Sequence, residues 1–310
     1  MAHRPRPITN TPPINERTTH MTDYAGPGIY DMPEADYHAD PVPGGSLSAS
    51  GCKTILKAPA KFNHEQLQGN PVRKDVFDFG SAAHALVLGV GAEIVVIDAP
   101  DWRTKDAKQA KADAYAAGQV PILAKDHRIV QAMADVLHAH PIAGALLDGT
   151  KGGKAEQSMF WQADGIWKRA LADWLPVPID GERFIVTDYK TAADEGAEVN
   201  QFSKSVVNYG YASQAAWYLE GAMTLLGVKD PAFLFVVQEK VAPYLVSVVE
   251  LSAELLLMGE QRNAQAVRLF KECRATGVWP GYPDRVQLAT APTWASYAHE
   301  ADLNLWGVAT

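Results

Sequence analysis

Four ionisable side chains in the middle of the chain have the types and spacing that metal-assisted hydrolysis needs. Glu156 and Asp173 lie on either side of Asp164–Gly165, and Asp188 and Lys190 follow a short apolar run. Carboxylate oxygens are the ligands that Mg²⁺ prefers, and Mn²⁺ accepts the same donors. An ammonium group beside them can stabilise negative charge that develops during a reaction. These residues are therefore candidates for hydrolysis assisted by a divalent cation.

A β-hairpin is predicted to bring the first two carboxylates together. Asp-Gly between two runs of alternating hydrophobicity is a strong signal for a tight hairpin turn. A turn centred on Asp164–Gly165 places Glu156 directly opposite Asp173, with Cβ atoms about 5 Å apart. Like charges in this position destabilise a sheet. A divalent cation between them would compensate, and so would a neighbouring Lys or Arg.

Asp188 and Lys190 are two residues apart on the next predicted strand, so they point to the same face of the sheet. The apolar run before them, residues 184–186, indicates a central and largely buried strand. An ionised Asp and Lys at its end are costly unless they are paired or bound to a metal. A plain ion pair at a strand end explains this tripeptide as well, so both interpretations stay open.

A helix further along the chain carries a second set of polar candidates. Tyr211, Gln214 and Tyr218 are spaced by three and four residues and share one helical face. This face lies about 120° from the apolar stripe of the same helix. These residues are therefore not simply part of the core stripe. The alternative is an amphipathic helix with incidental tyrosines.

The elements that must position these residues alternate between helices and strands. Helices are predicted from Ser46 or Ser48 to Pro59, over 80–88, twice within 102–140, over 199–226 and over 253–275. Strands are predicted over 93–97, 156–162, 166–175, 183–191, 232–239 and 244–250. This order predicts an α/β fold with a mixed central β-sheet that is flanked by helices.

The domain organisation follows from proline content and periodicity. Residues 1–45 hold eight of the twenty prolines, which predicts that most of this segment is a flexible N-terminal arm, although Ile29–Tyr30 and Tyr37 could dock on the body. Residues 46–310 are predicted to form one domain. Its parts are a helical region over 46–150, a sheet with a helix over 151–252, and a C-terminal helix with a tail over 253–310.

Composition excludes several classes of protein. The chain has 310 residues, 47% of them hydrophobic, and a net charge of −8. Passive nucleic-acid coat proteins are usually strongly basic, so this charge disfavours that class, but it permits an enzyme that holds DNA in a local basic channel. Neither a membrane span nor a secretory signal is recognisable, which predicts a cytoplasmic protein. The phosphate loop of an ATP site is missing as well.

The order and spacing of these motifs resemble a known nuclease family. Glu156, Asp173, the Asp188–Lys190 tripeptide and QAAWY at 214–218 resemble the PD-(D/E)xK nuclease core with the Q-x-x-x-Y motif of its RecB-like branch. The segments LSASGCKTILKAPAKF, GSAAHALVL, WRTKDAKQAK and YGYASQAAWY are similar to phage and prophage exonucleases of the exodeoxyribonuclease VIII (RecE) type. The resemblance runs from about residue 37 to about residue 280.

The resemblance implies a restriction-endonuclease-like core and a role for each candidate. Asp173 and Asp188 would bridge the metal, with the backbone carbonyl of Tyr189 as a further ligand. The family's helix-borne histidine maps onto His84, although a lone histidine in an Ala- and Leu-rich helix is more often a core residue. The remaining roles are Glu156 as a direct or water-mediated ligand, Lys190 as the catalytic lysine, and Gln214, Tyr218 and Tyr211 as support or DNA contacts.

The family relation also implies an activity and partners. It predicts an exonuclease that needs Mg²⁺ or Mn²⁺, digests linear double-stranded DNA ends in the 5′→3′ direction, and serves phage or prophage recombination by strand annealing. A ring-like homo-oligomer and a single-strand annealing partner are implied as well. Two cysteines, Cys52 and Cys273, are too few for the iron–sulfur cluster of some relatives. The alternatives are an endonuclease or structure-specific nuclease on the same core, or a DNA-end-binding accessory protein.

Overall fold

The computed structural model describes residues 26–69 and 78–305. A seven-stranded sheet forms the centre of this part, with the strand order β1–β5–β6–β7–β8–β9 and β2 paired with β6. The strands are β1 (Gly28–Tyr30), β2 (Leu47–Ser48), β5 (Lys154–Ala163), β6 (Ile166–Leu175), β7 (Ile185–Ala192), β8 (Ala232–Glu239) and β9 (Val246–Glu250). The β7–β8 and β2–β6 pairs are parallel and the other pairs are antiparallel, which confirms the predicted mixed sheet.

Helices cover both faces of this sheet. They are α1 (Glu34–Ala39), α2 (Ala49–Lys57), α3 (Pro59–Phe62), α4 (Asp78–Leu88), α5 (Lys105–Ala116), α6 (Ala124–Ala139), α7 (Ala143–Leu146), α8 (Val199–Tyr209), α9 (Tyr211–Leu226), α10 (Ala253–Thr276) and α11 (Thr293–Leu305). One core, which includes Trp161, Trp217 and Phe270, lies between the sheet and α2, α9 and α10. A second core packs α4 and α6 on the other face, around Tyr189 and Val236.

Local sequence signals account for the elements that border the site. Ser48 caps α2 by accepting a hydrogen bond from the Gly51 N–H, as the serine at this position predicts. The hairpin of β5 and β6 has the predicted register, because Ala155 pairs with Trp174 and Ala163 with Ile166. A turn at Asp164–Gly165 therefore sets which residues of the two strands face each other.

The structure corrects the predicted N-terminal arm. Residues 1–25 of that arm lie outside the described residues, whereas residues 28–45 are part of the fold. β1 pairs with β5, and Met32, Tyr37 and Val42 are buried in a small third core against Phe160. A short aromatic strand and a six-residue helix are too brief to show periodicity in a proline-rich segment, so composition alone placed the boundary too late.

Further elements differ from the prediction. The helix expected over 199–226 is two helices, because Gly210 at φ +69° ends α8 in a left-handed cap before α9 begins. A short strand β4 (Val120–Leu123), which includes Pro121, pairs in parallel with β3 (Ile94–Ile97) and lies between the two helices that were predicted within 102–140. A strand of a two-stranded sheet tolerates proline because each strand is an edge. The C-terminal tail contains α11, which periodicity did not reveal.

Candidate active site

Three neighbouring strands bring the predicted acidic side chains to one cleft. Glu156 lies on β5, Asp173 on β6 and Asp188 on β7. The residues described on β6 and β7 pair at Trp174 and Thr187, and Asp173 and Asp188 are the residues next to this pair on the two strands, close enough for the charge of Asp173 to act on Asp188. The sheet topology therefore gathers carboxylates that are up to 32 residues apart in sequence, from position 156 to position 188.

Asp188 is the most deeply buried of these groups, with 1% of its side chain exposed. The ammonium group of Lys190 contacts its Oδ2 atom, and the Gln214 amide donates a hydrogen bond of 2.6 Å to its Oδ1 atom. Burial, and then the nearby charge of Asp173, raise the pKa of Asp188 to about 6. The pKa of Lys190 is lowered by burial but raised more by Asp188 and Asp173, so this lysine stays an ammonium ion.

Asp173 is held by the backbone of the neighbouring strand and faces a histidine. The N–H of Tyr189 donates to Asp173 Oδ2 over 2.9 Å. His84 of α4 places its Nδ1 atom 3.7 Å from the same oxygen, and its ring lies 5.1 Å from the Tyr189 ring. The histidine predicted from the family resemblance is therefore beside the carboxylates, and its side chain is 30% exposed rather than enclosed in the core.

Glu156 interrupts the hairpin at the edge of this cluster. The pairs on both sides of it keep the predicted register, but Glu156 has φ +49° and is missing from the ladder opposite Asp173. A non-glycine residue rarely adopts this backbone conformation, which costs free energy and is often found at functional sites. Burial, followed by the charges of Glu34 and Asp173, raises the pKa of Glu156. It is thus a third carboxylate in the same negative field.

The cluster includes two charged residues that sequence reasoning missed. Glu34 of α1 lies close enough to Glu156 to raise its pKa, but it falls in the segment that was predicted to be a flexible arm. Lys53 of α2 is near Lys190 and Asp188, and burial together with the charge of Lys190 lowers its pKa. The sequence predicts the helix that carries Lys53, because Ser48 caps it, but it does not predict that the Lys53 side chain points to the site, since this depends on how α2 packs against the sheet.

Helix α9 brings all three of its predicted residues to the site. Gln214 binds Asp188, as described above, and it also contacts the Tyr218 hydroxyl. Tyr218 is buried, and burial holds its pKa well above the ordinary range. The Tyr211 ring lies 5.3 Å from the Lys190 ammonium, in a cation–π contact. The polar and aromatic face of the helix therefore packs onto the end of β7.

The donor set suits a hard divalent cation. Three carboxylates and one imidazole surround the cleft, and Asp188 Oδ2 is buried without a hydrogen-bond partner apart from its ion-pair contact with Lys190. Oxygen donors with a single imidazole favour Mg²⁺ or Mn²⁺ over softer metals. In residues 26–69 and 78–305, no three His, Cys, Asp or Glu side chains are arranged closely enough to form a ready metal-binding group. Lys190 and Gln214 contact the Asp188 oxygens instead.

The fold and the site define a protein of the PD-(D/E)xK class. The chain belongs to the family described as "PDDEXK-like domain of unknown function (DUF3799)", whose model matches residues 48–292. A search of curated proteins gives no match. Among solved structures, the chain is similar to a protein of Eubacterium rectale described as a "putative exonuclease". The identity is 12% and the TM-score 0.54, over 85% of this chain and 97% of the other, so the likeness shows a shared fold.

Helix length and polarity show whether a helix could cross a membrane. None of the helices described in residues 26–69 and 78–305 combines the length and the apolar character that a membrane crossing requires. The longest, α10, has 24 residues and includes charged residues along its length.

Proposed function

We propose that this protein is a metal-dependent deoxyribonuclease that hydrolyses linear double-stranded DNA from its ends. The observation that carries the proposal is the proximity of buried Asp188 on β7 to Asp173 on β6, beside Lys190 and His84. Negative charge in excess of the nearby cations stabilises a bound divalent ion. The family membership and the exonuclease description of a structural neighbour support the same activity.

The metal would be Mg²⁺, with Mn²⁺ as a substitute. Asp173 and Asp188 would hold it, with the Tyr189 carbonyl and His84 as further ligands and Glu156 as a direct or water-mediated one. When bound, such an ion activates water and neutralises charge on the phosphoryl and leaving oxygens. We expect Ca²⁺ to support DNA binding better than cleavage, because it accepts the same oxygens in a looser geometry.

The other residues of the site have roles that follow from their contacts. Lys190 is an ammonium ion, so we infer that it orients the attacking water and stabilises negative charge on the phosphate rather than accepting a proton. Gln214 fixes the rotamer of Asp188 through its 2.6 Å hydrogen bond and is itself held by Tyr218. Tyr211 limits the movement of Lys190 through the cation–π contact between its ring and the ammonium group. These three residues preorganise the site before DNA arrives.

The finer assignments rest on the resemblance to RecE-type exonucleases. They are 5′→3′ digestion, a role in phage or prophage recombination by strand annealing, a single-strand annealing partner, a ring-like homo-oligomer and a cytoplasmic location in the bacterial host. Light scattering of the purified protein tests the ring, and strand-specific end labels test the direction of digestion. A monomer, or digestion from 3′ ends, would remove the corresponding assignment without affecting the nuclease itself.

Linear and covalently closed circular DNA of the same sequence separate the candidate functions. An exonuclease degrades the linear form in Mg²⁺ and leaves the closed circle intact. Cleavage of both forms would identify an endonuclease or structure-specific nuclease on the same core. Tight binding of linear ends without cleavage in Mg²⁺ or Mn²⁺ would identify an end-binding accessory protein. Asp188→Asn, purified in the same way, is the matched control, because cleavage at the wild-type rate by this variant would come from a contaminant or from another site.

A further inference from the structure

An exposed aromatic ring lies beside the site at the junction of α8 and α9. Tyr209 is the last residue of α8, and its side chain is 61% exposed. Gly210, at φ +69°, turns the chain there, so that Tyr209 and Tyr211 lie on two different helices with their rings next to each other. Exposure of a large aromatic ring to water costs the free energy that its burial would give. The proposed hydrolysis gives this ring no role.

Tyr209 is connected to the reacting end of β7 through a row of rings. Its ring centroid lies 5.7 Å from that of Tyr211, at an angle of 39°. Tyr211 lies 5.3 Å from the Lys190 ammonium and stacks on buried Phe202 with the ring centroids 5.9 Å apart. Tyr211 therefore lies between Tyr209 and Lys190 and supports the Tyr209 ring, while the rest of the Tyr209 ring faces solvent near the site.

A lysine side chain of α2 contacts the backbone at this ring. Lys53 donates a hydrogen bond of 3.2 Å to the Tyr209 carbonyl, and Lys57 follows one turn further along α2. In a chain with a net charge of −8, this is a local concentration of positive charge. Positive side chains that follow a phosphate backbone, with aromatic rings for the bases, are typical of single-stranded DNA binding.

We propose that Tyr209 stacks on an unpaired base of the DNA end while Lys53 and Lys57 contact its phosphates. An unpaired base can leave the stack and offer its face to an aromatic ring, whereas bases inside a duplex are stacked on both neighbours and the last base of a blunt end is still held by its pairing partner. The preferred ligand is therefore an end with a single-stranded overhang rather than a blunt end. This inference rests on the proposed function, since it takes DNA as the substrate of the site.

Fluorescence of 2-aminopurine tests the stacking directly, because stacking quenches this base. The analogue is placed at the end of an overhang, and binding is titrated in chelator so that no cleavage can occur. Tyr209→Ala should abolish the quenching and weaken the affinity for overhang DNA about 5- to 100-fold. Tyr209→Phe should keep both, since the ring remains. The matched control is Tyr297→Ala, because Tyr297 is 68% exposed on α11 and should affect neither readout.

Three results would overturn the proposal. The first is an unchanged affinity of Tyr209→Ala for overhang DNA, and the second is an equal loss of its affinity for overhang and blunt DNA. The third is a change in the oligomeric mass of Tyr209→Ala while its DNA binding stays unchanged. In each of these cases Lys190→Ala still reports on cleavage in Mg²⁺, so the nuclease assignment stands or falls separately. Conversely, Tyr209-dependent quenching by a protein that never cleaves DNA would support this inference and refute the proposed function.

Discussion

Lys168 and Lys190 on the central sheet each have two carboxylates nearby, but a different partner is buried in each cluster. Lys168 on β6 is 2% exposed and donates 2.7 Å hydrogen bonds to both Asp164 and Glu220. Its ammonium also lies 4.8 Å from the Trp217 ring. Every donor direction of this lysine faces an acceptor or an aromatic surface, and its two carboxylates are partly exposed to water.

In the cluster around Lys190, the carboxylate rather than the lysine is the more deeply buried partner. A second carboxylate, Asp173, lies near it on the neighbouring strand. The pKa of Asp188 is raised by burial and by Asp173 in spite of the adjacent ammonium. The comparison indicates that a buried lysine whose carboxylate partners reach water is structural, whereas a carboxylate that is itself buried beside a lysine and a second carboxylate marks a site for an added cation.

Removing a carboxylate from the Lys190 cluster should have the largest effect. Asp173→Asn and Asp188→Asn should each lose metal affinity and cleavage together, by more than about 10²-fold, because each removes an anionic ligand. Calorimetric titration with Mn²⁺ and single-turnover cleavage measure the two losses. Metal-free Asp173→Asn should unfold at a higher temperature than the wild type, since Glu156 and Asp188 lose a like charge. A variant that keeps both metal and activity would contradict the assignment.

Lys190→Ala should separate metal binding from catalysis. It removes no ligand and takes away a positive charge beside two carboxylates, so metal binding should persist. Cleavage should fall on the order of 10²-fold or more, because the group that stabilises the charged transition state is lost. The same titration and single-turnover assay are used. Cleavage at the wild-type rate would show that Lys190 is only the partner of Asp188.

Lys168→Met should show the opposite behaviour. The substitution leaves Glu220 without its ammonium partner and removes the cation–π contact with Trp217, at a cost of about 2 kcal/mol in the free energy of unfolding. Denaturant titration measures this loss. Cleavage per folded molecule should remain at the wild-type rate. A selective loss of cleavage in a stably folded variant would erase the distinction between the two clusters.

The pH dependence of stability should differ between wild type and Asp188→Asn in chelator. The folded-state pKa of Asp188, about 6, lies above its ordinary value of 3.8, so the folded protein takes up this proton more readily than the unfolded chain. Lowering the pH through 6 therefore stabilises the wild type, by about 1 kcal/mol between about pH 7.5 and 5, and raising it removes this gain. The amide of the Asp188→Asn variant cannot titrate, so parallel pH profiles for the two proteins would refute the charge imbalance.

The sequence was most informative where local geometry decides the outcome. Asp164–Gly165 specifies the hairpin register, and the spacing of Tyr211, Gln214 and Tyr218 places them on one helical face. These periodicities are intrinsic to strands and helices. His84 on α4, which lies beside Asp173, was predicted only from the resemblance to PD-(D/E)xK nucleases, because no local sequence pattern identifies it.

The remaining parts of the site depend on tertiary packing. Glu34 reaches Glu156 only because β1 pairs with the edge of β5, a contact between residues more than a hundred positions apart. The split between α8 and α9 depends on the left-handed backbone of Gly210, and a glycine in a helical pattern can equally continue the helix. The positive φ of Glu156 is a further feature that spacing cannot predict.

Metal dependence is the most direct test of the central claim. Metal-stripped protein is mixed in excess with end-labelled linear duplex DNA, and single-turnover degradation is followed as Mg²⁺ is added back. The account predicts no degradation in chelator and degradation that saturates with Mg²⁺, through the carboxylates of Asp173 and Asp188. Full activity in metal-free buffer, or no activity at any concentration of Mg²⁺ or Mn²⁺, would contradict it.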